Sequence, residues 1–329
     1  MAAFRNPIHE PVRSHNGHIH ELFRRHHENP ILTAADWPYA ANTVFNPAAT
    51  RLADGTTLLL CRVEDRRGIS HLTAARSQNG IRNWQIDPTP TLMPDEGPGS
   101  DECWGIEDPR ITFLDEFQSY AVTYTGFAHA GPHVKIAMTK DFVEFERLGS
   151  IMPPDDKDAA LFPTRIGGRW ALIHRPVSPF QEAADIWISY SPDLVHWGNH
   201  QVLLEARRGA WWDAAKVGLN PPPLRTEEGW LLFYHGVRRH ASGSLYRLGI
   251  ALLDLEDPTK IIRRGNDWVF GPEEHYERVG DVRDVVFPCG YTLSDDNQSI
   301  NMYYGAADTS IALAFASIPE ILEWLLTQH

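Results

Sequence analysis

Short apolar runs punctuate the chain at nearly regular intervals. LLLC at 58–61, YAVTY at 120–124, WALIH at 170–174, WLLFY at 230–234 and INMYY at 300–304 are β-branched, aliphatic and aromatic stretches of strand type, about sixty residues apart. A polar turn and a second apolar run follow each: 70–75, 134–138, 185–189, 248–253 and 310–316. Three of these second runs lead into a further turn closed by an aromatic residue, at 77–84, 139–145 and 191–197. One small antiparallel sheet cannot bury both faces alone, and radial stacking of such sheets solves that problem. The pattern predicts an all-β chain, a five-bladed β-propeller, closed as one domain over residues 1–329.

Helical periodicity is confined to the two ends. Residues 18–28, stopped by Asn29-Pro30, and the amphipathic stretch 319–326, with Ile321, Leu322, Leu325 and Leu326 on one side, predict short terminal helices.

Composition narrows the function. A chain of 329 residues with 43% apolar and 22% charged residues is globular. Thirty Lys and Arg against forty-three Asp and Glu leave a net charge of -13, so no broad basic surface exists for nucleic acid or an anionic membrane. The N-terminus is polar where an export signal is apolar, and no run has the length of a membrane span. Three cysteines, Cys61, Cys103 and Cys289, lie far apart without CxxC spacing, which points to a reducing cytoplasm. Six of the sixteen histidines fall in the first twenty-seven residues, but no ordered Cys or carboxylate spacing accompanies them, and no metal is expected there.

The innermost strands of a propeller converge on a central channel, so polar residues interrupting apolar runs point at a shared pocket. These are Asn46, Arg62, Asp108, Lys157, Arg175, Lys216, His235, Tyr246 and Asp308, drawn from every part of the chain. Asp108 precedes Pro109, which biases it to extended geometry. It reads either as a buried general acid or as a corner carboxylate paired with Arg110. Each cation alone reads as a surface salt bridge; the set, one from each successive repeat, reads as an anion site.

At these motifs the chain resembles the β-mannoside phosphorylases of glycoside hydrolase family 130. The likeness runs from Asn29-Pro30-Ile31-Leu32 through Phe45-Asn46-Pro47-Ala48, Arg62-Val63-Glu64-Asp65, Glu107-Asp108-Pro109-Arg110, Leu161-Phe162-Pro163, His174-Arg175-Pro176, Lys216-Val217-Gly218, Tyr234-His235-Gly236-Val237, Tyr246-Arg247-Leu248-Gly249 and Val286-Phe287-Pro288-Cys289-Gly290 to Tyr303-Tyr304-Gly305-Ala306-Ala307-Asp308. The resemblance implies a five-bladed propeller and inverting phosphorolysis of a β-mannoside to α-mannose 1-phosphate and a shortened acceptor. It implies Asp108 as general acid, relaying its proton through the mannose 3-hydroxyl. Lys157, Arg175, Lys216, His235 and Tyr246 match its phosphate positions, and Asn46, Arg62 and Asp308 match positions that hold mannose, with Glu64 and Ser70 also lining that subsite. Inorganic phosphate is then a co-substrate, no cofactor is required, and the partner is a small carbohydrate. A homo-oligomer is compatible with the sequence.

Two departures stand out: Lys157 where relatives carry Arg, which loses the bidentate fork, and Asp284 where Asn is expected. Two other readings exist. A hydrolase of the same family would need a carboxylate base, for which Glu273, Glu274 and Glu277 are available, and a non-catalytic glycan-binding propeller would use the eleven tryptophans for stacking.

Overall fold

A computed structural model describes residues 22–177, 183–241 and 243–328. Five antiparallel sheets follow one another in chain order. Blade 1 comprises Thr43–Arg51, Thr57–Glu64, Ser70–Ser77 and Gln85–Ile86. Blade 2 comprises Ile106–Leu114, Ser119–Ala128, Gly131–Thr139 and Glu146–Ser150. Blade 3 comprises Asp156–Leu161, Trp170–Pro176, Ile186–Ser191 and Gly198–Leu204. In blade 4, Lys216–Leu219, Trp230–His240, Gly243–Leu253 and Ile261–Arg264 are joined by the short Leu224–Arg225. Blade 5 takes Val286–Leu293, Ser299–Ala306 and Ser310–Ser317 from the end of the chain and Arg24–Arg25 from its beginning.

The apolar runs are continuous because both faces of each second strand are covered. Alternate residues then point to opposite neighbours. Leu58 and Leu60 join a cluster with Ile106 and Val122 of blade 2, whereas Leu59, Cys61 and Val63 join Tyr303, Ile311 and Leu313 of blade 5. Leu231 and Phe233 pack toward Val286 and Met302, and Trp230, Leu232 and Tyr234 toward Ile173 and Ile188. Ala121, Ile136, Leu161 and Leu172 fill the space between blades 2 and 3. Each of the five junctions, including that of blade 5 with blade 1, thus has its own apolar cluster, and the ring closes.

The aromatic-closed turns share one mechanism. Asn79, Asp141 and Asp193 each accept two backbone N–H groups through Oδ1, and the residue after each, Gly80, Phe142 or Leu194, has φ near the left-handed region at 68°, 58° and 70°. Trp84 and Trp197 then donate their indole N–H to the carbonyls of Ile81 and Leu194.

The C-terminal helix forms as expected, over Ile318–Leu326, with Ser317 accepting from Glu320 N–H and Ile321 and Leu325 buried. The N-terminal helix does not. From residue 22 the chain is extended, and Arg24 and Arg25 pair with Phe315 and Ala314 as the outer strand of blade 5; residues 18–21 lie outside the described residues. Asn29 reinforces this pairing, accepting from Leu313 N–H and donating to its carbonyl. Tertiary pairing with an open sheet edge overrides the local pattern there.

Candidate active site

Four of the innermost strands are broken near their starts by bulges, that of blade 5 between Pro288 and Gly290. In the other three the register shifts between Phe45 and Ala48, between Glu107 and Arg110, and between Lys157 and Ala160. Asn46, Asp108 and Asp158 sit in these three bulges with φ of 45°, 48° and 55°. Asn and Asp tolerate the left-handed region better than other side chains. The bulge re-aims each side chain out of the ladder. Asp308 adopts φ 51° in the tight turn between Ser299–Ala306 and Ser310–Ser317.

The side chains divide into two halves. The acidic half gathers around Arg62 and is built by blades 1, 2 and 5. Arg62 donates to Asp108 Oδ1 at 3.1 Å, Glu107 Oε1 at 3.1 Å, Glu64 Oε2 at 3.4 Å and Ser70 Oγ at 2.9 Å. Asn46 Nδ2 donates to Asp108 Oδ1 at 2.9 Å. A Cβ at Gly305 would collide with the Asn46 side chain, so only glycine lets blade 5 approach this closely. Asp108 is only 7% exposed. Burial alone would raise its carboxyl, but the positive charges of Arg62, Arg110 and Lys157 and the Asn46 bond outweigh it and hold the group below the ordinary carboxylate range. Asp308 goes the other way: burial, reinforced by the charges of Asp108 and Glu107, pushes it up to about 7 against the pull of Arg62.

The basic half gathers around Asp158 and is built mainly by blades 3 and 4. Arg175 Nε donates to Asp158 Oδ2 at 2.7 Å, His235 Nε2 lies 3.6 Å from the same oxygen, and Arg110 Nη2 lies 3.7 Å from Asp158 Oδ1. Lys157 and Arg175 are direct cross-strand partners. Lys216 stands 4.9 Å from the centre of the Tyr246 ring, and His235 lies 5.7 Å from the same ring. Burial, with Arg175 and Lys157 nearby, pushes the Lys216 ammonium down to about 8 despite Asp158. Burial pushes the Tyr246 hydroxyl up to about 12. Lys157, 4.0 Å from Glu107 Oε2, stands where the two halves meet.

The residues matched in the sequence to catalytic, phosphate and mannose positions therefore fall into one site. Arg110 does not pair with the Asp108 carboxylate. It donates to the Asp108 backbone carbonyl at 2.7 Å and to the carbonyls of Asn220 and Leu219, at 1% exposure. Glu64 and Ser70 act on Arg62. Sequence reasoning missed Asp158, Arg110 and Asn220 as site components. Asp158 adjoins Lys157 in sequence, which is the one signal that pointed to it. It also missed the prop beneath Arg175: Asp156 accepts the Arg175 N–H at 3.1 Å and contacts His174 Nδ1 at 2.6 Å, while His174 Nε2 reaches Ser189 Oγ at 2.7 Å.

Glu277 is committed elsewhere. Fully buried, it binds Arg25 at 2.8 and 2.9 Å, the Tyr304 hydroxyl at 2.8 Å and the backbone N–H groups of Glu273 and Glu274. Glu273 lines a groove of about 850 Å³ that borders Tyr246 and includes His240, Trp268 and Arg278. Asp284, whose backbone carbonyl accepts the Tyr246 N–H at 3.3 Å, has φ 58°, a conformation that suits Asp and Asn alike. His26, His27 and Glu28 bring ligand atoms within 4.8 Å of one another, with His27 and Glu28 exposed; His9, His15, His18 and His20 lie outside the described residues.

The family model for β-1,4-mannooligosaccharide phosphorylases matches residues 18–327. The β-1,4-mannooligosaccharide phosphorylase of Ruminococcus albus is 32% identical over 93% of this chain and 91% of its own length. The 1,2-β-oligomannan phosphorylase of a Thermoanaerobacter species is 35% identical over 91% and 98%. The solved β-1,2-mannobiose phosphorylase of Listeria innocua, in complex with β-1,2-mannobiose, superposes with a TM-score of 0.83 at 30% identity, covering 93% of this chain and 99% of that one. On the match along nearly its whole length and the shared propeller, this chain belongs to glycoside hydrolase family 130.

Proposed function

We propose that the chain catalyses inverting phosphorolysis of a β-mannoside, giving α-mannose 1-phosphate and a shortened acceptor. The observation that carries this reading is the division of one site into an acidic half around Arg62 and Asp108 and a basic half around Asp158. An inverting glycosidase needs a second carboxylate to activate water on the far face of the sugar. Here the complementary half presents Lys157, Arg175 and Lys216 with Tyr246 and His235, a set that suits an anionic nucleophile instead. Charge-assisted bonds from these cations hold phosphate for in-line attack and offset its desolvation.

Mannose sits in the acidic half, held by Asn46, Arg62 and Asp308. Glu64 and Ser70 keep the Arg62 fork in place. Asp108 supplies the proton to the leaving oxygen through the sugar 3-hydroxyl. In the free protein three cations keep this carboxyl ionised. A phosphate dianion among them adds negative charge and displaces water, and both effects raise the Asp108 carboxyl toward the protonated form the reaction needs. Binding the nucleophile thereby arms the acid. The groove beside Tyr246 offers room for the acceptor. Phosphate is the only co-reactant in this scheme, with no metal or cofactor.

Glu277, locked by Arg25 and Tyr304, is not placed to serve as the base of a hydrolase. Cys61 and Cys289 are free and buried and Cys103 is free and exposed, which supports a reducing, cytoplasmic address. Among the described residues no helix is long and apolar enough to cross a membrane. The test is product analysis of β-mannobiose digests with and without phosphate. Mannose 1-phosphate formed only with phosphate is expected; free mannose at equal rates in both would overturn the reading.

A further inference from the structure

We propose that His235 reads the protonation state of the incoming anion: its Nε2 accepts a hydrogen bond from the hydroxyl of hydrogen phosphate, so the site favours a protonated tetrahedral oxyanion over an unprotonated one such as sulfate. The inference rests on the phosphorolysis reading and deepens it.

A backbone carbonyl fixes the tautomer of His235. The Pro288 carbonyl can only accept, so the Asn220 side chain must turn its Nδ2 toward it, at 2.9 Å. Asn220 Oδ1 is thereby turned toward His235 Nδ1 at 3.0 Å. An amide oxygen also only accepts, so the hydrogen of the imidazole is on Nδ1. Asn220 is held at both ends, its N–H donating to the Phe233 carbonyl and its own carbonyl receiving Arg110 Nε. The His235 ring is confined by Phe287 at 4.9 Å and Tyr246 at 5.7 Å, and a Cβ at Gly218 would strike its Cε1 and Nε2. With the ring fully buried and its Nδ1 bond fixed, a flip would leave Asn220 Oδ1 unsatisfied.

Nε2 therefore faces the basic half. It lies 3.6 Å from Asp158 Oδ2, an oxygen already bound by Arg175. The charged and titratable groups around it are Arg110 from blade 2, Asp158 and Arg175 from blade 3, and Lys216 and Tyr246 from blade 4. Burial and the three cations outweigh Asp158 and push the imidazole down to about 3, so the second proton is absent at neutral pH. Tyr246 stays neutral there. An anion entering among Arg175, Lys216 and Tyr246 meets donors, and at His235 it meets a lone pair.

Hydrogen phosphate satisfies that lone pair with its one P–OH. Sulfate presents only acceptors and leaves Nε2 buried against another lone pair, a mismatch of the kind that gives strong discrimination. The chemistry balances without a further proton carrier. A C1–O bond forms to an unprotonated phosphate oxygen, the glycosidic C1–O bond breaks, the leaving oxygen takes the hydrogen of the sugar 3-hydroxyl while Asp108 gives its own proton to the 3-oxygen, and the P–OH hydrogen passes unchanged into the monoester. Anchoring that hydrogen on His235 reserves the charged oxygens for the cations and for attack.

The test uses the whole protein near neutral pH. Phosphate and arsenate, both protonated, are expected to support turnover with similar apparent affinity, and sulfate to compete at roughly ten- to a hundredfold higher concentration. Nitrogen-15 NMR of histidine-labelled protein should show His235 as the Nδ1–H tautomer before and after phosphate is added. In Asn220→Asp a carboxylate beside Nδ1 favours the imidazolium, and the preference against sulfate should shrink; if that variant does not fold, the wild-type measurements still decide. Equal competition by sulfate and phosphate, or a protonated Nε2 in the phosphate complex, would overturn the proposal while phosphate-dependent turnover remained. Absence of phosphate-dependent turnover would instead overturn the reading beneath it, and this proposal with it.

Discussion

Asp108 and Arg62 are joined by a 3.1 Å bond between a bulged residue of one blade and a second-strand residue of its neighbour, and both are largely buried. The corner pairing with Arg110, the alternative reading of Asp108, is absent because Arg110 spends its fork on three backbone carbonyls. The Asp108 carboxylate is thus left facing the site rather than neutralised behind it. Asp108→Asn should lower turnover of ordinary mannosides by about 10² to 10⁴-fold while keeping the fold, because an alkoxide must be protonated as it leaves. An aryl mannoside with a phenolate leaving group should lose much less. Rates on both substrates check this; equal losses would make Asp108 structural.

Arg175→Ala should raise the apparent Michaelis constant for phosphate far more than that for the mannoside. Loss of one charge-assisted contact is worth about 1.5 to 3 kcal/mol, roughly ten- to more than a hundredfold. Initial rates with each substrate varied in turn provide the check, and equal shifts would count against a phosphate role.

Phosphate binding should weaken as pH rises through about 8, where Lys216 loses its proton in the free protein. The sign follows from the depressed value: below it the ammonium is present and attracts the anion, and above it a neutral amine remains. Phosphate is already a dianion in that range, so the limb belongs to the enzyme. Lys216→Met should bind phosphate poorly at every pH and lose this limb. A Michaelis constant for phosphate that stays flat from pH 7 to 9 (a range of about one unit either side of 8) in the wild type would refute the assignment.

Asp158→Asn should be destabilising by about 3 to 5 kcal/mol, since removing one partner strands the buried charges of Arg175 and Arg110. Part of that loss should return with saturating phosphate, an anion that can stand in for the missing carboxylate. Urea unfolding with and without phosphate measures both effects. Unchanged stability would mean that the cations do not depend on Asp158.

The ring was legible because its second and third strands carry unbroken apolar runs that two neighbouring blades divide between them, as Leu58 and Leu59 do. The innermost strands were not. Their alternation breaks at Asn46, Asp108 and Asp158, where a bulge inserts a left-handed residue; the interruptions at Asn46 and Asp108 that hid those strands also revealed the site, whereas Asp158 went unnoticed. Charge pairing was least legible, because Arg62 and Glu107 or Arg110 and Asp158 meet only through tertiary contact. Arg24 and Arg25 lack any strand pattern of their own and become a strand by completing an open edge.

That completed edge has a consequence for synthesis on the ribosome. Asn29 and Leu313, which clasp each other across the fifth blade, are 284 positions apart. At ordinary elongation rates the early segment waits roughly 15 to 60 s for its partner to emerge. Throughout that interval the nascent chain carries an unclaimed strand at its leading end and, at blade 1, the apolar face of Leu59 and Val63 that blade 5 will later cover. The last blade is finished only when the final strands leave the exit tunnel. A chain truncated before Ser310–Ser317 would therefore lack the strand on which its own beginning docks.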